Sequence, residues 1–256
     1  MPASRFEIDP ELKAPPPDLG AEVLGPFEQS ALEVALQLKD SGAAASVTAI
    51  IAGGPESEAS LRKALSLQVD RAVRVDTGTQ RNLDASQTAE LLTRAIKQLD
   101  CLDVVLAGRQ AGDWDQGQVG CLVAERLGWA CVGLVQQVGE DDGRLTAQRE
   151  LAGSREVLSL APPALLTVTN ADSNRLRMAK VMDLMAAKKK PIEELTFSDL
   201  GLDEVELGAA RRIEVEEVIV PEQERDCDFV EGEDAAAVAS SLVDRLEELK
   251  LLGAAG

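Results

Sequence analysis

Val104-Val-Leu-Ala-Gly-Arg-Gln-Ala-Gly-Asp-Trp-Asp-Gln-Gly-Gln-Val-Gly120 is the stretch that decides the fold. A short apolar run ends in glycine, a polar loop with further glycines follows, and an amphipathic run then continues to about Leu127. That order predicts a buried strand, a loop at its carboxyl end and a helix. In open α/β sheets ligands bind at that end of the strands. The start of the helix offers unpaired N–H groups and a partial positive charge, which suit a phosphate. Gly112, Gly117 and Gly120 let backbone come close to a bound molecule. No Gly-Lys-Ser/Thr follows, so the loop is not of the Walker type, and there is no Gly-x-Gly-x-x-Gly. A second reading of the same residues gives the glycines to turns and Asp115 to a helix cap.

Outward from this stretch, strand and helix patterns alternate. Ala31, Leu32, Ala35 and Leu38 share one helical face, and Val47 to Ile51 reads as a strand that stops at Gly53-Gly54-Pro55. Residues 56–68 read as a helix and Ala72 to Val75 as a strand. Asp84 is placed to cap a helix whose stripe is Leu91, Leu92, Ala95, Ile96 and Leu99. Such alternation predicts βαβ units and a mostly parallel sheet covered on both faces, a doubly wound α/β fold. After Trp129, residues 133–139, 144–151 and 155–160 read as short strands, with a tight turn at Asp141-Asp142-Gly143. Residues 164–169 form one more buried strand and 174–187 a helix or loop. Residues 213–220 alternate as a strand, 221–233 are polar and acidic like a linker, and Val238, Leu242, Val243, Leu246 and Leu249 stripe a last helix. The expected division is a 1–220 α/β domain and a 221–256 linker and helix.

Composition narrows the chemistry. The net charge is −19 over 256 residues. That argues against nucleic acid, whose phosphates require a basic face. There is no histidine and no tyrosine, so the commonest general base and zinc ligand are missing. Cys101, Cys121, Cys131 and Cys227 form no Cys-x-x-Cys pair and are expected as buried free thiols. No catalytic residue and no metal ligand is assigned. No apolar run reaches the ~18 residues of a membrane helix. The amino terminus lacks a secretory h-region, and a cytoplasmic location is expected. A binding protein is indicated before a catalyst.

The 104–120 stretch resembles the signature of electron-transfer flavoprotein β subunits, in which a strand leads to Gly-Arg/Lys-Gln-Ala, acidic residues and Gln-Thr/Val-Gly. Other blocks agree in order: Gly25-Pro26-Phe27 followed by the 31–39 helix, Leu61 to Leu65 with Asp70-Arg71, Pro163-Ala164, Asn174 to Arg177, Leu184 to Glu193, Leu200-Gly201 and Glu231-Gly232. The resemblance implies an adenine-nucleotide α-hydrolase-like fold and a heterodimer with an α subunit that holds most of the FAD. This subunit would hold AMP or a second FAD, at Gly25, Pro26, Phe27, Glu28, Ala52, Gly108, Arg109, Gln110, Asp113, Gln116, Gly117, Gln118, Val119 and Gly120. Backbone from Gln116 to Val119 would hold phosphate, Phe27 would face the flavin, and Trp114 is a candidate to stack on adenine. Arg109 and Gln118-Val119-Gly120 lean toward electron-bifurcating members, whereas Trp114-Asp115-Gln116-Gly117 departs from them. AMP and FAD both stay open.

Three departures carry expectations. The family's first strand precedes the region that matches residues 4–10, so that strand is expected to be absent, which reads as a start codon assigned too late. Gly25 replaces an asparagine. Gln68-Val69 replaces the Gly-Ala that usually ends a helix, which predicts a left-handed Gln68.

Met178, Met182 and Met185 are spaced for one helical face and allow either a core stripe or an adaptable contact surface. The resemblance makes 170–191 the recognition loop for partner dehydrogenases, of the acyl-CoA type or related to it, with Val181 as its anchor. A downstream acceptor would then take the electrons. Arg175, Arg177, Lys180 and Lys188 to Lys190 form a basic island that could guide an acidic partner face or simply be solvated. Two other readings remain: a lone adenine-nucleotide-binding regulator resembling universal stress proteins, and an adenylating enzyme of the related hydrolase class. Against the latter, no Ser-Gly-Gly-x-Asp-Ser loop is present.

Overall fold

The computed structural model describes residues 23–78, 80, 83–217, 219 and 227–252. The expected absence of a first strand and the late-start reading concern residues outside this range. Contacts divide the described chain into one unit that ends at Glu216 and another that begins at Glu217.

The first unit has two sheets. One is parallel, in the order β1 (Thr48–Gly53), β2 (Arg71–Asp76), β8 (Glu193–Leu195). The other runs β3 (Val104–Gly108), β7 (Ala164–Val168), β4 (Ala130–Asp141), β5 (Arg144–Leu151), β6 (Ser154–Leu160). Its first three strands are parallel and its last three an antiparallel meander. β4 serves both halves. A register shift between Val132 and Val135, with Leu134 at φ 62°, turns it from its parallel partner to its antiparallel one. The α/β, mostly parallel architecture is the one expected. β8 was not legible, because three residues show no periodicity.

β1 and β3 each end their sheet, and among the described residues no strand joins them. Both are half-buried along their whole length, whereas all five residues of β7, paired on both sides, are buried. The sheets are held by helices instead. On one side, α1 (Pro26–Asp40) packs Leu32, Ala35 and Leu36 with Val47 and Ala49, while Ala31 and Val34 pack with Leu106 and Val168. On the other, α3 (Ala85–Gln98) sends Leu91 and Ala95 to Val73 and Val75, and Ala89 and Ile96 to Val105 and Leu165. Each such Leu or Val, fully buried, contributes roughly 1.5–3 kcal/mol.

Asp84 begins α3 as expected, in a capping box. Its Oδ1 accepts from the Gln87 N–H at 2.8 Å, and the Gln87 side chain accepts the Asp84 N–H. Its Oδ2 accepts the N–H groups of Arg212 and Ile213 at 2.5 and 2.9 Å. Burial opposes the charge, but the backbone donors outweigh it and hold this carboxyl below its ordinary value. The same bonds correct one expectation. Residues 211–217 form no strand, because Arg212 and Ile213 give their N–H groups to Asp84 rather than to a ladder.

The 56–68 helix is a 3₁₀ turn at Pro55–Ser57 followed by α2 (Glu58–Ser66). Gln68 follows it at φ 72°, as the replaced Gly-Ala predicted. The second unit contains α7 (Ala235–Glu248), capped by Asp234. None of its residues is buried, and Leu242 and Val243 of its apolar stripe are exposed. The cysteines also depart from expectation. All four are free, but all four are exposed.

Glycine enters the left-handed region without the cost a side chain incurs there. Gln68→Gly is therefore expected to stabilise the chain by about 1 kcal/mol, read as a higher denaturation midpoint with an unchanged slope.

Candidate functional site

Gly25 is the N-cap of α1 and Pro26 its first residue, so Phe27 and Glu28 lie in the first turn. That turn lies against the end of β3. A Cβ placed on Gly108 would sit 2.6 Å from Glu28 Oε1 and 2.9 Å from the Glu28 backbone N. Gly108 is therefore where two backbones meet. A Cβ on Gly25 would fall 2.3 Å from Glu28 Oε2 and 3.8 Å from the Gly112 N. The Arg109 guanidinium lies over the Phe27 ring at 5.0 Å, within cation–π range. The structure thus joins residues 25–28 to the start of the loop, although about eighty positions of sequence separate them.

The loop folds on itself. Arg109 N–H donates to Val168 O and extends the ladder beyond β3. Arg109 Nε donates to Gln110 Oε1, and Gln110 Nε2 to Asp115. Asp115, at φ 55°, thus closes the loop and does not cap the following helix. The N-cap of α4 (Val119–Leu127) is Gln118, with no side-chain cap bond. Gly117, at φ 63°, packs toward the Arg109 carbonyl, and Gly120 toward Thr167 and Leu165. Residues 111–118 are exposed, Trp114 and Gln116 among them, and Asp113 Oδ1 accepts the Trp114 N–H. Ala52 is near the end of β1, where it packs with the Val73, Val75 and Leu91 cluster.

Two helix starts thus differ. At α1 the protein's own Glu28 carboxylate sits by the first turn. Burial pushes its pKa up, its own N–H pulls it down, and Asp113 raises it further, with the net shift upward. Its Oε2 is buried without a hydrogen-bond partner. At α4 no side chain fills that role, and the loop that leads into the helix, residues 111–118, is exposed. An uncapped helix start of this kind suits an anionic oxygen.

The predicted contact surface takes a different form from the one expected. The helix is α5 (Val181–Ala187), so Met178 precedes it rather than sharing its face. The side chains are not a core stripe: Met178 is 93% exposed and Met182 83%, with Val181, Leu184 and Met185 also exposed. Sequence reasoning missed what holds them. Arg177 pairs with Glu33 at 2.8 Å and Asp40 at 2.7 Å on α1. Arg62 of α2 donates to the carbonyls of Ala187 and Lys190, and Lys190 Nζ donates to those of Leu65 and Val69. Of the basic island, Arg175 pairs with Asp172, and Arg177 and Lys190 serve these internal bonds. Lys180, Lys188 and Lys189 stay exposed.

The electron-transfer flavoprotein domain model matches residues 19–200. The chain belongs to the electron-transfer flavoprotein β-subunit family. It is 30% identical over 250 residues to the caffeyl-CoA reductase-Etf complex subunit CarD of Acetobacterium woodii, which covers 97% of this chain and 95% of that one. It is 33% identical over 229 residues to the mitochondrial β subunit of Oryza sativa subsp. japonica, 89% of this chain and 84% of that one. With the β subunit of Bacillus subtilis it shares 31% over 220 residues, 85% and 84% of the two chains. Electron-transfer flavoprotein β subunits are electron carriers, and electron transfer is the role of this chain.

A raised carboxyl pKa favours the folded chain in its protonated form. That contribution is complete below the ordinary value near 4.3 and is lost as the pH rises through the raised value. Glu28→Gln keeps the uncharged form at every pH. The nucleotide-free variant is therefore expected to melt higher than the parent at pH 7 and alike at pH 3.5, as measured by circular dichroism across pH.

Proposed function

We propose that the crevice between the first turn of α1 and the 108–120 loop holds an adenine nucleotide, with its phosphate on the open start of α4. The observation that carries this is the meeting of Gly25 to Glu28 with Gly108, Arg109 and Gly112 beside an uncapped helix start. Gly25, Pro26, Phe27, Glu28, Arg109, Gln110 and Asp113 would line it. Gln116, Gly117, Gln118, Val119 and Gly120 would supply backbone to the phosphate. Ala52 belongs to the proposal only through the family resemblance.

The chain would pair with an α subunit that carries most of the FAD, the cofactor that supplies the redox chemistry, while this subunit holds AMP or a second FAD. No side chain of this chain is assigned a proton or a covalent step. Its residues orient the nucleotide and shape the surface on which partners dock. In this reading Val181, Met182 and Met185, with Met178 beside them, receive a dehydrogenase of the acyl-CoA type, and a downstream acceptor takes the electrons. The likeness to a subunit of a caffeyl-CoA reductase complex along nearly its whole length supports a partner that works on CoA thioesters, and keeps electron bifurcation open. The 1–220 segment would form the nucleotide-binding domain, and 221–256, with the exposed stripe of α7, an arm that packs on the α subunit. Four free thiols suit a reducing compartment such as the cytoplasm. No helix among the described residues is long and apolar enough to cross a membrane.

Co-expression with the α subunit, followed by chromatography of released nucleotides, tests the crevice. One FAD and one AMP per heterodimer are expected of a one-way carrier, and two FAD of a bifurcating one. One FAD with no second nucleotide would overturn the assignment, and a homodimer holding ATP alone would favour the lone-regulator reading.

Val181→Asp tests the platform. It places a charge amid exposed Met182 and Met185, and is expected to slow electron transfer from the dehydrogenase at least tenfold while bound flavin stays unchanged, a loss of about 1.4 kcal/mol. Unchanged partner kinetics would reject the docking role.

A further inference from the structure

Cys121 lies in the first turn of α4, one residue beyond Gly120. Cys131 is the second residue of β4. The helix and the Gly128 turn bring their sulfurs to 3.9 Å, although ten positions of sequence separate them. Both residues are exposed and free. Cys101 lies on the loop before β3, and Cys227 falls in the second unit. The pairing was not legible in the sequence, because the ten-residue spacing matches no thiol motif.

We propose that Cys121 and Cys131 are a redox-active dithiol that hydroperoxides close to a disulfide, fixing the first turn of α4 to β4. Closure requires the sulfurs to approach by about 1.9 Å from contact to bond length, a distance within reach of side-chain rotation at an exposed site. The geometry assigns the roles. The Cys131 S–H donates to the Cys121 sulfur. Cys121, whose sulfur accepts that contact, attacks the peroxide. The attacking thiolate takes one oxygen and becomes a sulfenic acid, and the other oxygen leaves as hydroxide, which becomes water on protonation. Cys131 then attacks that sulfur, the S–O bond breaks, and a second water leaves. Two thiols and one hydrogen peroxide thus give one disulfide and two waters, with the sulfurs oxidised by two electrons and the peroxide reduced by two. Burial, and then the neighbouring sulfur, push the Cys131 thiol up to about 11. That suits a resolving thiol that stays protonated until the sulfenic acid forms. The inference does not depend on which nucleotide the crevice holds.

The test uses the full chain, purified reduced and treated with hydrogen peroxide. Arg126 lies between the two cysteines, so trypsin separates them into peptides 110–126 and 127–144. Without reductant, the expected product is these two peptides joined, lighter by two hydrogens and released by dithiothreitol, while Cys101 and Cys227 still alkylate. Cys131→Ser should instead leave Cys121 as a sulfenic acid that dimedone traps. Hydrogen exchange across residues 119–122 should slow in the oxidised form and return on reduction. Over-oxidation of Cys121 to the sulfinic acid without the joined peptide, or joining through Cys101 or Cys227, would overturn the dithiol. Exchange identical in both forms would overturn its hold on α4.

Discussion

Side-chain burial across an unpaired seam is the constraint on which the rest of this structure depends. β1 and β3 end their sheets without a strand between them, and backbone hydrogen bonds do not bridge that gap among the described residues. The bridge is made of apolar side chains on α1 and α3, each of which packs on both sheets. Hydrophobic contact is non-directional, so it holds the sheets together without setting a register between them. The positioning of α1 carries further consequences. Its first turn abuts the end of β3, and its later turns anchor Arg177 through Glu33 and Asp40. One helix therefore sets both the crevice and the approach to the exposed platform.

The platform shows how a mobile-looking sequence becomes a fixed surface. Two methionines on a seven-residue helix, with a third just before it, have little intrinsic reason to hold one place. The fold supplies it through helix-end chemistry: Arg62 satisfies carbonyls at the end of α5, and Lys190 satisfies those at the end of α2. Lys190 of the basic island is consumed in this way, and Arg177 in its pairs with Glu33 and Asp40. Charges that read as a partner-guiding face are in part the ties that keep an apolar face exposed.

The same economy marks the crevice. With no histidine anywhere, the residues around the loop have no side chain that titrates at neutral pH with its ordinary value. What they offer is backbone: glycines that let chains meet, and an open helix start. In the proposed reading such equipment would hold a nucleotide in place and leave redox chemistry to the flavin. Beside that helix start lies the exposed thiol pair of Cys121 and Cys131.

How much of this was written in the sequence depends on the range of each cause. Local causes were legible. The alternation of apolar runs gave the α/β class, Asp84 marked a helix start, and the replaced Gly-Ala at Gln68 announced a left-handed residue, since each rests on neighbours a few positions away. The ordered blocks from Gly25 to Gly232 carried the family. Long-range causes were not. Residues 213–217 alternate like a strand, but Asp84, more than a hundred positions upstream, takes the N–H groups of Arg212 and Ile213 where it would begin. Glu28 meets Gly108, Arg177 finds Glu33, and Cys121 touches Cys131 only after helices and sheets are packed. Periodicity records which face of an element is apolar; it does not record which element will cover it. Only tertiary structure could decide that the methionines stay outside, that the thiols are exposed and paired, and that a glycine at the end of β3 is where two backbones meet.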